Sequence, residues 1–220
     1  MEFGKAFSYQ FEDQDWIKKI LIAAVVPLIP IIGSLVTAGW GVEITKRVIR
    51  HEPQPLAEWD DFGGYLAKGF KVIIIGLVYA LPLIIVGICP TILLTAPYSS
   101  NGNSETLMYV AYAATACFGL IFLLYGILLA FLIPAAIGRF ADTGQLGAAF
   151  KFREVFALVK ATPMAFLMVF LGTIVSSFIG SLGSIACGVG VLATTAYATS
   201  INAHLQGQAY LEATSKTSSY

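Results

Sequence analysis

The residues of this chain best suited to binding or catalysis form an acidic cluster close to basic residues. Glu58, Asp60 and Asp61 flank Trp59, and Arg47 and Arg50 precede them. A calcium-binding loop supplies oxygen ligands at alternate positions with a glycine at its turn, and these three acids do not follow that pattern. We therefore predict an interfacial or partner-docking site at these six residues. The structural alternative is that the acids cap a helix while the tryptophan anchors at headgroup level.

Other catalytic or cofactor-binding patterns are missing from the sequence. Cys89, Cys117 and Cys187 are widely spaced and form no Cys-x-x-Cys pair, which favours packing over metal or redox chemistry. The two histidines leave little for acid–base work, and no phosphate loop, dinucleotide fingerprint or nucleophile elbow is present. We therefore expect no enzymatic activity, no catalytic residue, no cofactor and no metal. The zero net charge gives no reason to expect a nucleic-acid partner.

All 13 basic and 13 acidic residues lie outside four charge-free windows, residues 20–42, 72–104, 106–138 and 161–211. A charge at the centre of a bilayer costs about 2.5–3.5 kcal/mol on insertion scales, and about 20 apolar residues cross the hydrocarbon. The windows therefore predict an all-α, polytopic transmembrane helical bundle. We expect a single integral membrane domain over residues 1–220, with polar tails at 1–15 and 212–220.

The window lengths indicate about five to six helical segments. Residues 72–104 and 106–138 each fit one span, whereas 161–211 fits a hairpin of about 162–179 and 184–204. The first window is ambiguous, because prolines and a glycine interrupt it. It fits either one tilted span or a short hairpin of about 16–28 and 34–50, with Asp13 or Asp15 capping the first helix.

Basic residues orient the chain, since loops rich in Lys and Arg stay in the cytoplasm. Loop 43–71 carries five such residues, 139–160 carries four and 97–105 carries none. We predict a multi-pass protein of the inner cell membrane with 97–105 outside and the other two loops cytoplasmic. Three lysines near the N-terminus favour an internal N-terminus and hence the hairpin; five spans with an external N-terminus are the alternative.

Both cytoplasmic loops contain apolar residues at helical spacing ahead of a span. This pattern predicts two interfacial amphipathic helices. The apolar positions are Leu56, Trp59, Phe62, Leu66 and Phe70 in the first helix, and Phe152, Val155, Phe156 and Val159 in the second.

Small residues crowd the predicted C-terminal hairpin. Because lipid provides no hydrophobic drive for helices to associate, such residues mark close helix contacts. We predict a helix-packing seam, whose neighbour is either another subunit or a helix of the same chain. Its candidate residues are Gly180, Gly183, Ser184, Gly188 and Gly190.

The acidic cluster lies within a stretch that resembles a known family. The matching core is Pro55-Leu-Ala-Glu-Trp-Asp-Asp-Phe, followed by Gly69-Phe-Lys71 and Tyr79-Ala-Leu-Pro82, with Gly39-Trp40 upstream. These residues resemble domain-of-unknown-function family 4013, multi-pass membrane proteins of bacteria and archaea, in which proline is commoner at position 57. The resemblance implies a membrane location and a helical architecture, and it implies no activity.

No charged residue lies inside the windows, which disfavours ion-coupled transport. We therefore expect a non-enzymatic scaffold or accessory subunit that binds partner proteins or lipids in the membrane. The expected partners are the lipid bilayer and either further copies of this chain or other subunits of a membrane complex. The alternative is a channel or transporter for a small or uncharged solute.

Cysteine labelling in intact cells tests the orientation, in a background lacking the three native cysteines. A cysteine at Ser100 is expected to react with an impermeant reagent from outside. One at Gln145 is expected to react only after lysis, and the reverse pattern would contradict the orientation. External labelling of a cysteine at Ser8 would favour five spans over the N-terminal hairpin.

Overall fold

A computed structural model describes residues 1–99, 105–183 and 189–217. Every regular element among these residues is helical, which confirms the all-α class. Short 3-10 helices lie at Tyr9–Glu12 and Val26–Leu28. The α-helices are α1 (Lys5–Ser8), α2 (Trp16–Val25), α3 (Ile32–Ile49), α4 (Phe62–Ser99), α5 (Glu105–Thr143), α6 (Leu146–Ala149), α7 (Phe152–Ala161), α8 (Pro163–Leu182) and α9 (Val189–Thr217).

The first charge-free window folds as a helical hairpin, as the second of the two alternatives predicts. α2 has 10 residues, about half the length needed to cross the hydrocarbon. Pro27 lies at the start of the following 3-10 helix, where its missing N–H is tolerated. Ile31 adopts a positive φ of 64° before α3 begins. Gly33 lies against the carbonyl of Val26, so that a side chain at position 33 would prevent the turn from closing.

Two glycines allow α3 and α4 to meet at backbone contact. Gly39 of α3 lies against the carbonyl of Tyr65 in α4, and Gly69 of α4 lies against the carbonyl of Leu35 in α3. A β-carbon at either glycine would overlap the facing carbonyl. This reciprocal crossing holds the first turns of α4 against α3, immediately before the charge-free part of α4 begins.

α9 lies between α8, α3 and the N-terminal segment. The Ser176 hydroxyl of α8 donates to Asn202 Oδ1 at 3.0 Å, and the Thr45 hydroxyl of α3 donates to the carbonyl of Ala203 at 3.0 Å. From the N-terminal segment, the Tyr9 hydroxyl donates to the carbonyl of Ser200 at 3.1 Å. α9 therefore packs mainly against protein.

The chain divides into two compact units. The first unit is Met1–Ile75 with Phe131–Tyr220, and the second is Gly76–Ala130. The second unit contains parts of α4 and α5, which are linked by a hydrogen bond from the Tyr125 hydroxyl to the carbonyl of Tyr79 at 3.0 Å.

Three helices among the described residues are long and apolar enough to cross a membrane, at Phe62–Ile88, Met108–Thr143 and Pro163–Leu182. They correspond to the predicted spans in 72–104, 106–138 and 162–179. The fourth predicted span, 184–204, lies partly outside the described residues, and α9, which begins at Val189, is not among these helices. The part of α9 before Glu212 lacks charges but is rich in small and hydroxyl-bearing residues, so it is suited to burial against other helices. The predicted total of five to six segments is not confirmed.

Of the two predicted interfacial helices, only the second forms a separate helix. Residues Phe152–Ala161 form α7, a separate helix that buries Val155 and Leu158 and exposes Phe152 and Phe156. Leu56 and Trp59, in contrast, precede the helix, and the remaining positions belong to the start of α4. The first predicted helix is therefore not a separate element, because the tertiary contacts of Leu56 and Trp59 hold their segment in an irregular loop.

The two predicted polar tails contain helical structure among the described residues. In segment 1–15, α1 and the following 3-10 helix bury Ala6, Tyr9 and Gln10. At the other end, α9 continues to Thr217, into the predicted 212–220 tail. Both segments are thus largely parts of the folded first unit.

A pair of glycine substitutions tests the crossing of α3 and α4. Gly69→Ala is expected to lower the midpoint of thermal unfolding in detergent by several degrees, since overpacking typically costs 1–3 kcal/mol. Gly76→Ala, in the same helix with open space at its β-carbon position, is expected to leave the midpoint unchanged or raise it. Equal effects of the two substitutions would contradict a backbone contact at Gly69.

Candidate functional site

The candidate site is the loop between α3 and α4, which contains the acidic cluster. Leu56 and Ala57 are fully buried, so their backbone carbonyls need donors. Trp40 Nε1 donates to the Ala57 carbonyl at 2.9 Å. Lys19 Nζ and Arg47 Nη1 donate to the Leu56 carbonyl at 3.3 and 3.4 Å. Side chains from α2 and α3 therefore hold this loop through its backbone.

Lys19 is the charged centre of the site. Its side chain is 2% exposed, and its Nζ lies 2.6 Å from Asp13 Oδ2 and 2.5 Å from Glu58 Oε1. Burial alone would lower the pKa of Lys19, but the two carboxylates raise it above its usual value. Lys19 is therefore a buried ammonium ion that joins the N-terminal segment, α2 and the loop.

Aromatic rings surround the ion cluster. Trp59 stacks on Trp40 with ring centroids 5.2 Å apart and an interplanar angle of 17°, and Trp59 Nε1 donates to the Lys19 carbonyl at 2.9 Å. Tyr65 of α4 meets the Trp59 ring edge-on, and its hydroxyl donates to the Glu58 carbonyl. Both indole N–H groups are thus satisfied inside the fold, as buried tryptophans require.

The six predicted docking residues fall into two groups. Glu58, Trp59 and Arg47 make contacts within the fold; Arg47 also lies 3.6 Å from Glu52. Asp60, Asp61 and Arg50 are exposed. Asp61 has one structural role, because its Oδ1 accepts a hydrogen bond from Gly64 N in the first turn of α4 at 2.9 Å. Asp61 thus has the capping role of the structural alternative, whereas Glu58, Trp59 and Arg47 have internal contacts of another kind. Docking remains a prediction.

A cleft of about 270 Å³ opens beside the cluster, lined by Lys18, Lys19, Ile22, Glu58, Trp59 and Asp60. It exposes charges of both signs and part of an indole ring. Among the described residues, no group of three or more His, Cys, Asp and Glu side chains could hold a metal ion. Asp60 and Lys18 remain as exposed groups that a polar partner could contact.

Sequence reasoning does not identify Lys19 or Asp13 as members of the site. Asp13 and Asp15 are the two predicted caps of α2. Asp13 Oδ2 pairs with Lys19, and Asp13 Oδ1 accepts a hydrogen bond from Asp15 N at 2.9 Å. Asp15 occupies the N-cap position without making a side-chain capping bond. A lysine at the edge of an apolar run was a possible signal, but its partner Glu58 is 39 positions away, beyond any local pattern.

The predicted small-residue seam is partly formed within the chain. Gly183 lies against the backbone of Gly190 and the Thr194 hydroxyl. That hydroxyl also donates to the Gly180 carbonyl at 2.9 Å, although the β-carbon position of Gly180 faces open space. Ser184 and Gly188 lie outside the described residues. Of the two neighbours left open by the sequence, a helix of the same chain occupies the seam at Gly183.

His204 is a packing residue of the first unit. It is buried, and its ring stacks on Tyr9 with centroids 4.2 Å apart. Burial lowers the pKa of His204 to about 4, so the ring is neutral at pH 7. Both histidines of the chain, His51 and His204, line a cavity of about 740 Å³.

Comparisons with known proteins place the chain beside one family. A family model described as a protein of unknown function (DUF4013) matches residues 22–189, which is more than half of the 220 residues. No curated protein and no solved structure matches the chain. The matched range includes α3, the loop and α4.

Removal of the buried ammonium tests the role of the cluster. Lys19→Gln leaves Asp13 buried without its counter-ion, and breaking a buried pair in this way typically costs about 3–5 kcal/mol. We expect a large fall in the thermal unfolding midpoint in detergent, whereas Lys18→Gln on the exposed neighbour changes stability by less than about 0.5 kcal/mol.

The carboxylate partners are expected to differ. Asp13→Asn lowers the midpoint more than Glu58→Gln, because the Asp13 side chain is 5% exposed and that of Glu58 is 49% exposed. A normal midpoint for Lys19→Gln would show that the cluster does not stabilise the fold.

Proposed function

We propose that this chain, which belongs to the DUF4013 family of proteins of unknown function, is a non-enzymatic scaffold or accessory subunit of a membrane complex. The chain is a membrane protein with three helices apolar enough to span a bilayer. In the proposed role, it binds partner subunits and lipids through the sides of these helices. The observation that carries the proposal is the apolar surface of α4 and α5.

This surface is extensive within the second unit. Of the most apolar windows of Phe62–Ile88 and Met108–Thr143, only 11% and 6% of the residues are buried. Large apolar side chains face outward, among them Leu77, Leu81, Ile85, Leu120 and Leu124. A helix that is apolar all round requires lipid or other helices around it.

The polar groups of the first unit are used differently. Lys19 is held by Asp13 and Glu58, and Glu43 by Lys46 and Lys68. These charged residues therefore serve internal contacts, which supports a structural role; Glu43, Lys46, Glu58 and Lys68 among them lie in the matched range. In such a protein, selectivity for a partner lies in surface shape and in the exposed charges near the membrane boundary.

Contacts in the first unit support the predicted orientation in the inner cell membrane. The ammonium of Lys71 lies 5.7 Å from the centre of the Phe140 ring, so loop 43–71 and segment 139–160 meet. The Asp13–Lys19–Glu58 cluster joins the N-terminal segment to loop 43–71. One cytoplasmic side for all three segments is consistent with these contacts and with the basic residues.

One observation favours the transporter alternative. Thr173, Ser177 and Ser181 recur every four residues along α8 and line a cavity of about 320 Å³ with Ile174 and Phe178. Each of these hydroxyls donates to a carbonyl of its own helix, and a hydroxyl oxygen has lone pairs that can also accept a hydrogen bond. Such a polar, uncharged strip is what a path for an uncharged solute would use.

Purification in mild detergent followed by mass spectrometry separates the two roles. The scaffold predicts partner subunits at fixed stoichiometry, with no solute flux in liposomes. The double substitution L120W/L124W, at exposed positions one helical turn apart, is expected to release the partner while the chain remains monodisperse. The matched control, L120I/L124I, is expected to retain it.

The alternative predicts the opposite results. A homogeneous oligomer with solute flux, reduced by Ser177→Leu, would establish transport and exclude the scaffold as the main role. Retention of the co-purified subunits by L120W/L124W would show that this face of α5 is not their binding surface.

A further inference from the structure

A cavity of about 220 Å³ lies in the first unit between α3, α4 and the end of α5. Four of its lining residues are basic. Lys46 and Arg50 come from the end of α3, and Lys68 and Lys71 from the start of α4. Asp142 and Gly144, at and just after the end of α5, also line the cavity.

The cavity lies where two membrane-spanning segments end. Lys71 is the last charged residue before window 72–104, and Asp142 is among the first after window 106–138. Charged side chains at the end of a spanning helix lie at the level of the lipid headgroups. The charged ends of α4 and α5 therefore place the cavity at the membrane interface. On the same turn of α4, Phe70 and Ile73 are 58% and 47% exposed, so an apolar surface adjoins the basic one.

The charges of the cavity are only partly balanced. Glu43 lies 2.6 Å from Lys68 and 3.3 Å from Lys46. Burial would raise the pKa of Glu43, but these two ammonium groups hold it below its usual value. Glu43 thus remains a carboxylate that neutralises part of the charge.

The remaining acid and bases leave an excess of positive charge. Asp142 Oδ2 accepts a hydrogen bond from the Tyr210 hydroxyl at 2.9 Å. Within the described part of the chain, neither Arg50 nor Lys71 has a carboxylate at ion-pair distance; Lys71 faces the Phe140 ring. Four cations against two carboxylates leave an unmatched positive charge of about two in the cavity, and Arg50 and Lys71 are the two cations that no carboxylate of the described residues engages directly.

We propose that this cavity binds the phosphate-bearing headgroup of an anionic membrane lipid, with Arg50 and Lys71 as the direct donors. A guanidinium can hold two phosphate oxygens in a planar pair of hydrogen bonds, and an ammonium adds a point charge. Basic pockets at the cytoplasmic ends of spanning helices suit such headgroups. The acyl chains would lie along the exposed apolar side of α4.

A lipid fits the cavity better than free phosphate, although both share the same anionic group. The cavity opens at the level where lipid headgroups are concentrated, and the apolar surface beside it has no role in binding inorganic phosphate. The inference rests on the proposed function, since it names the class of lipid that the membrane subunit would bind.

The test measures equilibrium binding of short-chain phosphatidylglycerol to the purified full-length chain in neutral detergent. Short-chain phosphatidylcholine and inorganic phosphate, at matched ionic strength, serve as the other two probes. The unaltered chain is expected to bind phosphatidylglycerol at least about 10-fold more tightly than either. R50Q/K71Q is expected to reduce that affinity on the order of 10-fold, and R50K/K71R to retain most of it.

The matched control is R153Q/K160Q, which removes one arginine and one lysine, both exposed on α7 and outside the cavity. It is expected to bind phosphatidylglycerol as the unaltered chain does. Equal weakening by both double substitutions would overturn the site in favour of general charge attraction. Equal affinity for phosphatidylcholine, or for inorganic phosphate, would overturn the assignment to anionic lipid.

The comparison among the three probes uses the unaltered chain, so the proposal remains falsifiable even if R50Q/K71Q fails to fold. Binding is measured without any partner subunit. A negative result therefore overturns the lipid site alone, whereas partner recovery with L120W/L124W decides the proposed function separately.

Discussion

The fold of the first unit depends on the buried ammonium of Lys19. Withdrawal of a charge from water costs several kcal/mol unless close partners compensate it. Asp13 and Glu58 supply the compensating charge, and the Leu56 carbonyl supplies a further acceptor. These groups come from the N-terminal segment and from the loop before α4. The electrostatic requirement of one side chain therefore brings together three separate segments of the chain.

The consequences extend to the membrane boundary. The loop held by Lys19 and Trp40 leads directly into α4, whose first turns cross α3 at Gly39 and Gly69. This crossing places Lys68 and Lys71 beside Lys46 and Arg50, at the level where α4 becomes charge-free. The loop and the first turns of α4 thus fix the position of this apolar helix and form part of the basic cavity.

The two units suggest different physical roles. The first unit buries polar groups in specific pairs, as in the Ser176–Asn202 contact and the stacking of Tyr9 on His204. The second presents apolar side chains of α4 and α5 outward. Lipids and partner helices recognise apolar surfaces such as that of the second unit. The exposed charges of the first unit can select among lipid headgroups. The proposed scaffold role would use both properties.

The sequence by itself determined the helical class, the membrane location and the three apolar spans, because the absence of charge and the apolar character are local properties of each segment. It also limited the first window to two alternatives and marked Gly183 as a close contact. The absence of charge did not separate a lipid-facing helix from one packed in protein, and the charge-free residues 190–211 of α9 are almost all buried or half-buried.

Only the tertiary structure decided which acids and bases meet. Glu58 pairs with Lys19, 39 positions away, and Lys68 with Glu43, 25 positions away, and no periodicity encodes such distances. Contacts between residues far apart in the sequence also cause the irregular conformation of Leu56 and Trp59. Buried contacts with α2 and α3 outweigh the weak helical preference of that segment, because local propensities are small beside the free energy of burying charges and aromatic rings.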